Sequence, residues 1–541
     1  MDFERKIFAK MQQWKDSGMN RKKALLIKGL RQVGKTYIVK EFARRNYENV
    51  VYIDFRADRS IRSAFADDFD IDAMTLGISA HKKVSFVPGK TVIIFDEVQD
   101  CIDARSSVKY FIEDGRYDII ETGSLLGISG YNRNVGRGIP VGFEHILTMV
   151  PMDFEEFLWA KGVDDAILSA VGKSFENRKK VNGAIESAMI RHLREYICVG
   201  GMPEAVSTFL QGNNYNDVLT IQRNILAQHR DDFGKYIDKD GNVQTDLKLK
   251  LLISAVFDSI PAQLAKEYKK FQYSTLGQNA RSDQYRGAIQ WLVEAGLVTL
   301  SHNLKLLAVP LEGNKDPDAF KMFMSDSGLF VSMLDDGAAG SILDGDLGIY
   351  KGAIYEQMAA DFLNKMGRPL YYYRRDKDLE IDFITMYEGR PTLLEVKSRD
   401  GRTKAARVIL DRKEVYGVDR CIKITESKLG ESDSVLTIPQ YMIYLLDDHR
   451  ESSETPRDVV IFRNRWKSRN ERYPWHIRST ADVDLTVRRS QILRERLVRK
   501  SKGCHRSLRE RRLGNPCIGQ HQKSKGVVRL RWRDPCGPSE G

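Results

Sequence analysis

The sequence predicts an α/β fold organised on a parallel sheet covered by helices on both faces. Three observations carry this reading. Short apolar runs at Ala24 to Ile27, Val50 to Phe55, Thr91 to Phe95, Tyr117 to Thr122 and His145 to Val150 alternate with longer segments, several of helical spacing, and strands alternating with helices build parallel sheets. The first run enters Gly29-x-x-x-x-Gly34-Lys35-Thr36, after which Tyr37 to Asn46 continues with helical spacing. The third run ends in two acids, Asp96 and Glu97.

The glycine loop has the strand before it and the helix after it that phosphate cradling needs. Gly29 and Gly34 let the backbone curl so that its N–H groups converge on phosphate oxygens, and the next helix presents its positive end to the same anion. Gly29, Val33, Gly34, Lys35, Thr36 and Tyr37 are the candidate nucleotide contacts. Lys35 is placed to reach the β and γ phosphates, and Thr36 to offer its hydroxyl to Mg²⁺. Asp96 is delivered by a buried strand to the same ion's water shell, and Glu97 to the attacking water; the plain alternative is an acidic strand end facing solvent. Thr122 or Ser124, in Glu-Thr-Gly-Ser, is the candidate γ-phosphate sensor, against a simple glycine turn. Lys35, Glu97, Thr122 and Ser124 form the candidate catalytic set. Gly29, Asp96 and Thr122 fall at carboxyl ends of strands, where parallel sheets bind ligands.

A chain of 541 residues exceeds one ordinary core and calls for about three or four domains. Its net charge is +12, but residues 447 to 541 hold 24 Lys and Arg against 12 Asp and Glu, so the tail carries the whole excess and the body is neutral. Basicity therefore does not mark the body as a nucleic-acid binder. Cys101, Cys198, Cys421, Cys504, Cys517 and Cys536 show no paired spacing, which suits a reducing, cytoplasmic setting. The charged start lacks an apolar segment of signal-peptide type, and no run approaches membrane-spanning length.

Before the glycine loop, residues 3 to 19 form an amphipathic helix through Ile7, Met11 and Trp14, and residues 60 to 80 read as helical. Residues 153 to 240 read as helices with Phe154, Phe157, Leu158 and Trp159 in their core. Three helical patterns follow at Leu249 to Phe257, Ala262 to Tyr268 and Tyr285 to Ala295. A small hairpin of Val298 to Leu300 and Leu304 to Val309 comes next. Three helices and a hairpin suggest a winged helix, with Lys266, Lys269, Lys270, Arg281 and Arg286 as the charge for a DNA groove. The alternative is a packing or protein-interaction module.

Gly29-Leu-Arg-Gln-Val-Gly-Lys-Thr36, Ile-Ile-Phe-Asp96-Glu97-Val-Gln, Glu-Thr-Gly-Ser, Pro151-Met-Asp-Phe-Glu-Glu-Phe157 and Gly200-Gly-Met-Pro-Glu-Ala205 together resemble a family of prokaryotic AAA-type ATPases. Its members carry an uncharacterised C-terminal domain with a restriction-endonuclease-like core. The resemblance covers residues 1 to 446. It implies an AAA-like sheet, a helical lid and hydrolysis of ATP; the expected cofactors are ATP and Mg²⁺, and a homo-oligomer is the candidate assembly. An arginine finger has no clear place: Arg133 and Arg137 lie in a suitable region but also read as surface charge. The implied layout is an ATPase core over 1–155, a lid over 156–245, a winged-helix-like region over 246–344 and an α/β nuclease-like domain over 345–446.

Leu379-Glu-Ile-Asp-Phe-Ile384 and Leu393-Leu-Glu-Val-Lys-Ser398 alternate with period two, as half-buried strands do. A hairpin turning at Glu388-Gly389 sets Asp382 opposite Glu395 and Glu380 opposite Lys397, all four on one face. Opposed carboxylates call for a cation between them, and acids with a lysine are the equipment of a Mg²⁺-dependent phosphodiesterase. Asp382…Glu395-Val396-Lys397 resembles the PD-(D/E)xK nuclease signature, with Glu356 matching that family's helix acid and Ile381 standing where Pro is usual. The alternative is a retained fold with ordinary charged strands. DNA or a protein is the candidate partner, with no membrane contact. The tail from 447 has 19 Arg to 5 Lys and reads as a disordered nucleic-acid arm or as a shifted reading frame. Cys504, His505, Cys517, His521 and Cys536 lack regular zinc spacing.

Overall fold

The computed structural model describes residues 3–66, 68–125, 140–212, 214–237, 243–346, 348–375, 379–397 and 403–447. Arg133, Arg137 and the Arg-rich tail with its Cys and His residues lie outside them.

The opening helix α1 (Lys6–Asp16) buries Ile7, Met11 and Trp14, positions that share one face at helical spacing. β1 (Ala24–Gly29), α2 (Lys35–Asn46), β2 (Asn49–Asp54), α3 (Ile71–Lys82), β3 (Thr91–Asp96), α4 (Ile102–Asp114), β4 (Asp118–Ser124) and β5 (Glu144–Met149) follow. The segment expected to be helical from 60 to 80 is split: a 3-10 turn at Arg59–Phe65 precedes α3, whose N-cap Asp70 accepts from the Ala73 N–H. The sheet runs β2-β3-β4-β1-β5, with every pairing parallel. β3 is buried at all six positions, because helices cover both faces. β4 separates β1 from β3, pairing Ser124 with Gly29 and Glu121 with Phe95, so Gly29, Thr122, Ser124 and Asp96 all lie at the carboxyl edge.

Five helices follow: α5 (Phe154–Ala160), α6 (Asp165–Asn177), α7 (Gly183–Val199), α8 (Pro203–Gly212) and α9 (Tyr215–Asp231). α5 starts with a capping box in which Asp153 and Glu156 satisfy each other's backbone N–H. A two-stranded ribbon, β6 (Lys235–Ile237) and β7 (Val243–Thr245), leads to α10 (Leu247–Asp258), α11 (Ile260–Leu264) and α12 (Ser282–Glu294). The first and third match the expected patterns closely, whereas the second, expected over Ala262 to Tyr268, starts earlier and ends at Leu264, leaving 265–268 outside any helix.

The hairpin after them differs from expectation. Its strands are β8 (Val298–Leu304) and β9 (Lys315–Met324), so Leu304 to Val309 is not the second strand. Leu304, Leu307 and Leu311 instead turn inward onto a small core with Ile381 and Leu393, and an apolar loop that plugs a core imitates a strand in sequence. β9 continues into α13 (Ser327–Val331), α14 (Ala338–Asp344) and α15 (Lys351–Lys365). β8 also pairs in parallel with β10 (Leu370–Arg374). The hairpin thereby joins a mixed eight-stranded sheet with β11 (Glu380–Tyr387), β12 (Arg390–Val396), β13 (Cys421–Thr425), β14 (Gly430–Ser432) and β15 (Val435–Pro439), ordered β14-β15-β13-β12-β11-β10-β8-β9. No helix among the described residues is long and apolar enough to cross a membrane.

Candidate nucleotide site and a second charged cluster

The glycine loop is built by close packing on both sides. A Cβ on Gly29 would sit 2.2 Å from the Met149 carbonyl oxygen of β5. Gly34, the N-cap of α2, holds φ +94°, a conformation L side chains resist. Arg5 donates to the Val33 carbonyl (3.1 Å) and the Val150 carbonyl (2.6 Å), tying the loop to α1 and to β5's exit. Lys35 is buried and donates to the Gly29 and Leu30 carbonyls at 3.1 and 3.0 Å. Burial lowers its pKa to about 8, against the pull of Glu97 and Asp96.

Asp96 collects the hydroxyls around it. Thr36 Oγ1 lies 2.9 and 3.1 Å from its two oxygens, Tyr52 donates to Oδ2 at 2.6 Å, and the Thr122 hydroxyl donates to Oδ1. The same Thr122 oxygen accepts the Glu97 N–H at 3.2 Å. Glu97 is in the left-handed region, φ +54°, and its carboxylate meets Arg56 at 2.7 Å and the Gln99 amide. Ser124, paired with Gly29, lies two residues farther along β4, and Tyr37 is half-exposed on α2. Lys35, Thr36, Asp96, Glu97 and Thr122 are therefore brought together.

Sequence reasoning missed four neighbours. Tyr52 was within reach of it, since β2 pairs with β3 and a residue two positions before the strand end faces Asp96's side. Arg56 follows the end of β2. Arg31, at the loop's crest, pairs with Asp232 beyond α9, and Gln32 donates to Gln228 at 2.7 Å; no local pattern announces contacts this distant in sequence.

The Gly200–Ala205 motif lies against the loop. A Cβ on Gly34 would lie 3.9 Å from Pro203 Cγ. The Gly201 carbonyl accepts the Met152 N–H (2.7 Å), and the Gly201 N–H donates to Asp326 Oδ2 (2.7 Å). A Cβ on Gly200 or Gly201 would collide with Asp326 or with the Met152 backbone at about 2 Å.

A second cluster forms on the eight-stranded sheet. Phe383 pairs with Leu394 and Ile384 with Leu393, so β11 and β12 take the expected register, turning at Glu388 and Gly389, both at positive φ. Asp382 and Glu395 thus fall opposite each other, with Asp382 Oδ2 accepting the Val396 N–H at 2.8 Å. Glu356 of α15 joins them, but cations hold the acids. Lys269 and Lys321 both meet Glu356, the latter at 3.4 Å, Lys321 also meets Glu380 at 2.9 Å, Arg374 meets Glu380 at 3.4 Å, and Lys397 meets Glu395. Burial and the neighbouring Glu356 raise Asp382 to about 7, against Lys397 and Lys321. Glu356 goes the other way: burial favours its neutral form, but Lys321 and Lys269 outweigh that and hold it below the usual range. Among the described residues, no three His, Cys, Asp or Glu side chains are grouped to hold a metal ion.

The charges expected on the winged-helix face are partly engaged elsewhere. Lys266 donates to Gln272 (3.0 Å) and Thr275 (2.5 Å), Lys269 belongs to the second cluster, and Arg286 stands 3.8 Å from Asp318.

Residues 21–158 match the family model of an AAA domain. With the glycine loop and the β2-β3-β4-β1-β5 order, this part of the chain is an AAA-type P-loop ATPase domain. Residues 190–339 and 351–441 match two domains of unknown function, DUF8612 and DUF4143. An uncharacterized protein of Methanocaldococcus jannaschii, MJ1544, is 24% identical over 213 residues, 39% of this chain and 40% of that one, so the match spans well under half of the relative's length. Two solved structures are similar at low identity. The Walker-type ATPase PABY2304 of Pyrococcus abyssi is 14% identical, with 61% of this chain and 96% of that chain covered at a TM-score of 0.35. The Aeropyrum pernix ORC2 protein is 11% identical, with 63% and 92% covered at a TM-score of 0.32.

Proposed function

We propose that the chain binds and hydrolyses ATP as a switch. The observation that carries this is the convergence of Thr36 and Thr122 on Asp96, with Glu97 held by Thr122 at the same strand edge. Lys35 leaves the Gly29 and Leu30 carbonyls for the β and γ phosphates, which compensate its buried charge better than carbonyl dipoles do. Gly29, Val33 and Gly34 supply the loop backbone, and Tyr37 flanks it on α2. Thr36 and Asp96, a hydroxyl and a carboxylate in contact, are the hard-oxygen pair that would hold Mg²⁺, which supplies charge neutralisation on the phosphates. Glu97 orients and deprotonates the attacking water, and Thr122 or Ser124 reports the γ phosphate. Arg56 draws Glu97 aside when no substrate is present.

The switch acts on a nucleic-acid or nucleoprotein partner through the C-terminal sheet, where Glu356, Asp382, Glu395 and Lys397 form the acid–lysine set of a phosphodiesterase. A second reading, a regulatory ATPase whose C-terminal domain does not cleave and serves protein contacts, is favoured by the lysines already seated on Glu356. We place the protein in the cytoplasm, with a homo-oligomer as the working assembly. The test is a hydrolysis assay: wild type should turn over ATP while Glu97→Gln binds it and stalls. Equal turnover by the two would remove the role given to Glu97. The stalled variant should co-purify with the partner, and plasmid or single-stranded DNA with Mg²⁺, with Lys397→Ala as control, separates the two C-terminal readings.

A further inference from the structure

The second cluster is balanced in charge without any metal. Three carboxylates, Glu356, Glu380 and Glu395, meet four cations, Lys269, Lys321, Arg374 and Lys397, and Asp382 beside them accepts the Val396 N–H. The donor set therefore does not fit a divalent ion as it stands, since Glu356 already faces two ammonium groups and added positive charge would be unfavourable. The cations differ in how they are held. Lys321 sits inside β9 with its side chain 1% exposed, opposite Ser301 in register. Lys269 comes from outside the sheet, on the irregular segment between α11 and α12, and its side chain is 12% exposed.

That segment is pinned just past Lys269. The Phe271 N–H donates to the Phe320 carbonyl at 2.8 Å, and the two rings stack at 5.4 Å. Gln263 and Gln272 bond reciprocally, side-chain amide to backbone, at 2.9 and 3.1 Å. Before the pin, Tyr268 lies under the Arg374 guanidinium at 3.5 Å and Lys269 reaches Glu356. Both contacts fall on the cluster, one residue apart, while the anchors lie behind them. A loop so built can lift 268–269 away without unravelling α11 or β9.

We propose that the Tyr268–Lys269 segment is an autoinhibitory plug, in which the Lys269 ammonium occupies the cation position beside Glu356 and keeps the acid–lysine cluster closed to divalent ions. The proposal rests on the phosphodiesterase reading of that cluster. It accounts for an acid set in the expected register whose helix acid, Glu356, is already paired with two lysines. Withdrawing Lys269 leaves Lys321 shared between Glu356 and Glu380, and the uncompensated carboxylate then favours a divalent cation.

The experiment is Mn²⁺ titration of nucleotide-free full-length protein by calorimetry, on wild type, Lys269→Met and Lys269→Met/Glu356→Gln. Nucleotide-dependent thermal stabilisation reports that each variant is folded. Lys269→Met should gain a Mn²⁺ site at least on the order of tenfold tighter than anything in wild type, and the added Glu356→Gln should abolish it. Lys269→Gln serves as the second variant should the methionine protein misfold. Equal Mn²⁺ binding in wild type and Lys269→Met, or a gained site indifferent to Glu356→Gln, overturns the plug. A gained, Glu356-dependent site without DNA cleavage sustains the plug and overturns only the phosphodiesterase reading.

Discussion

Lys365 and Asp326 form an ion pair 3.0 Å long with side chains 1% and 0% exposed. The same ammonium donates to the Tyr196 hydroxyl at 2.8 Å and meets Asp361 at 2.9 Å, and Asp326 holds the Gly201 N–H at 2.7 Å. One lysine at the end of α15 thereby ties the C-terminal sheet to the glycine pair that packs on the nucleotide loop. Removing it strands two buried carboxylates. Lys365→Met should destabilise the protein by about 3–5 kcal/mol, read in urea unfolding, and a loss under about 1 kcal/mol would mean the pair is dispensable.

Gly201 leads to a backbone prediction. An alanine Cβ there would stand 2.0 Å from the Met152 carbonyl oxygen and 2.6 Å from its nitrogen, and neither atom belongs to a side chain that can swing away. Gly201→Ala should cost on the order of 4 kcal/mol or prevent folding, whereas Gly212→Ala, with open space around it, should be tolerated. Comparable melting temperatures for the two would contradict the packing described.

Thr122 bridges the two acids, donating to Asp96 and accepting from the Glu97 N–H. Thr122→Val keeps the shape and removes the hydroxyl. Hydrolysis should fall by about tenfold to a hundredfold with ATP affinity little changed, because the residue lies a strand away from the loop that binds phosphate. A drop in affinity with unchanged turnover would assign Thr122 to binding instead.

Lys35 gives a pH signature. Its pKa in the empty site is lowered to about 8, and a phosphate beside it favours the charged form and raises that value. The empty site therefore loses the proton as pH rises through about 8, whereas the occupied site keeps it. ATP binding should take up a proton above about pH 8, and affinity should weaken over that range. Calorimetry in two buffers of different ionisation enthalpy measures the uptake. Zero uptake at pH 8.5, or uptake retained in Lys35→Ala, would refute the assignment.

Much of this architecture was readable in advance because it is local. Gly29 to Thr36 is a contiguous loop between a strand and a helix, and Asp382 opposite Glu395 follows from counting residues across a turn at Glu388-Gly389, so both appear in the one-dimensional pattern. What was hidden depends on contacts remote in sequence. Lys269 and Lys321 are 87 and 35 residues from Glu356, and nothing near either announces the acid it neutralises. Leu304 to Val309 misled for the complementary reason, since burial of a loop and burial of a strand select the same apolar residues.

Asp382 carries the last prediction. Burial and Glu356 raise its pKa to about 7, while the unfolded chain ionises near 3.9. The folded protein holds the proton more tightly, so this group's stabilising contribution is complete below about pH 4 and is lost as pH rises through about 7. Asn at this position has no proton to lose, and its amide oxygen still accepts the Val396 N–H. The melting temperature of Asp382→Asn relative to wild type should therefore move upward between pH 5 and pH 8. Parallel curves would show that Asp382 ionises normally, and the buried setting between Glu356 and Glu395 would then need a compensating cation after all.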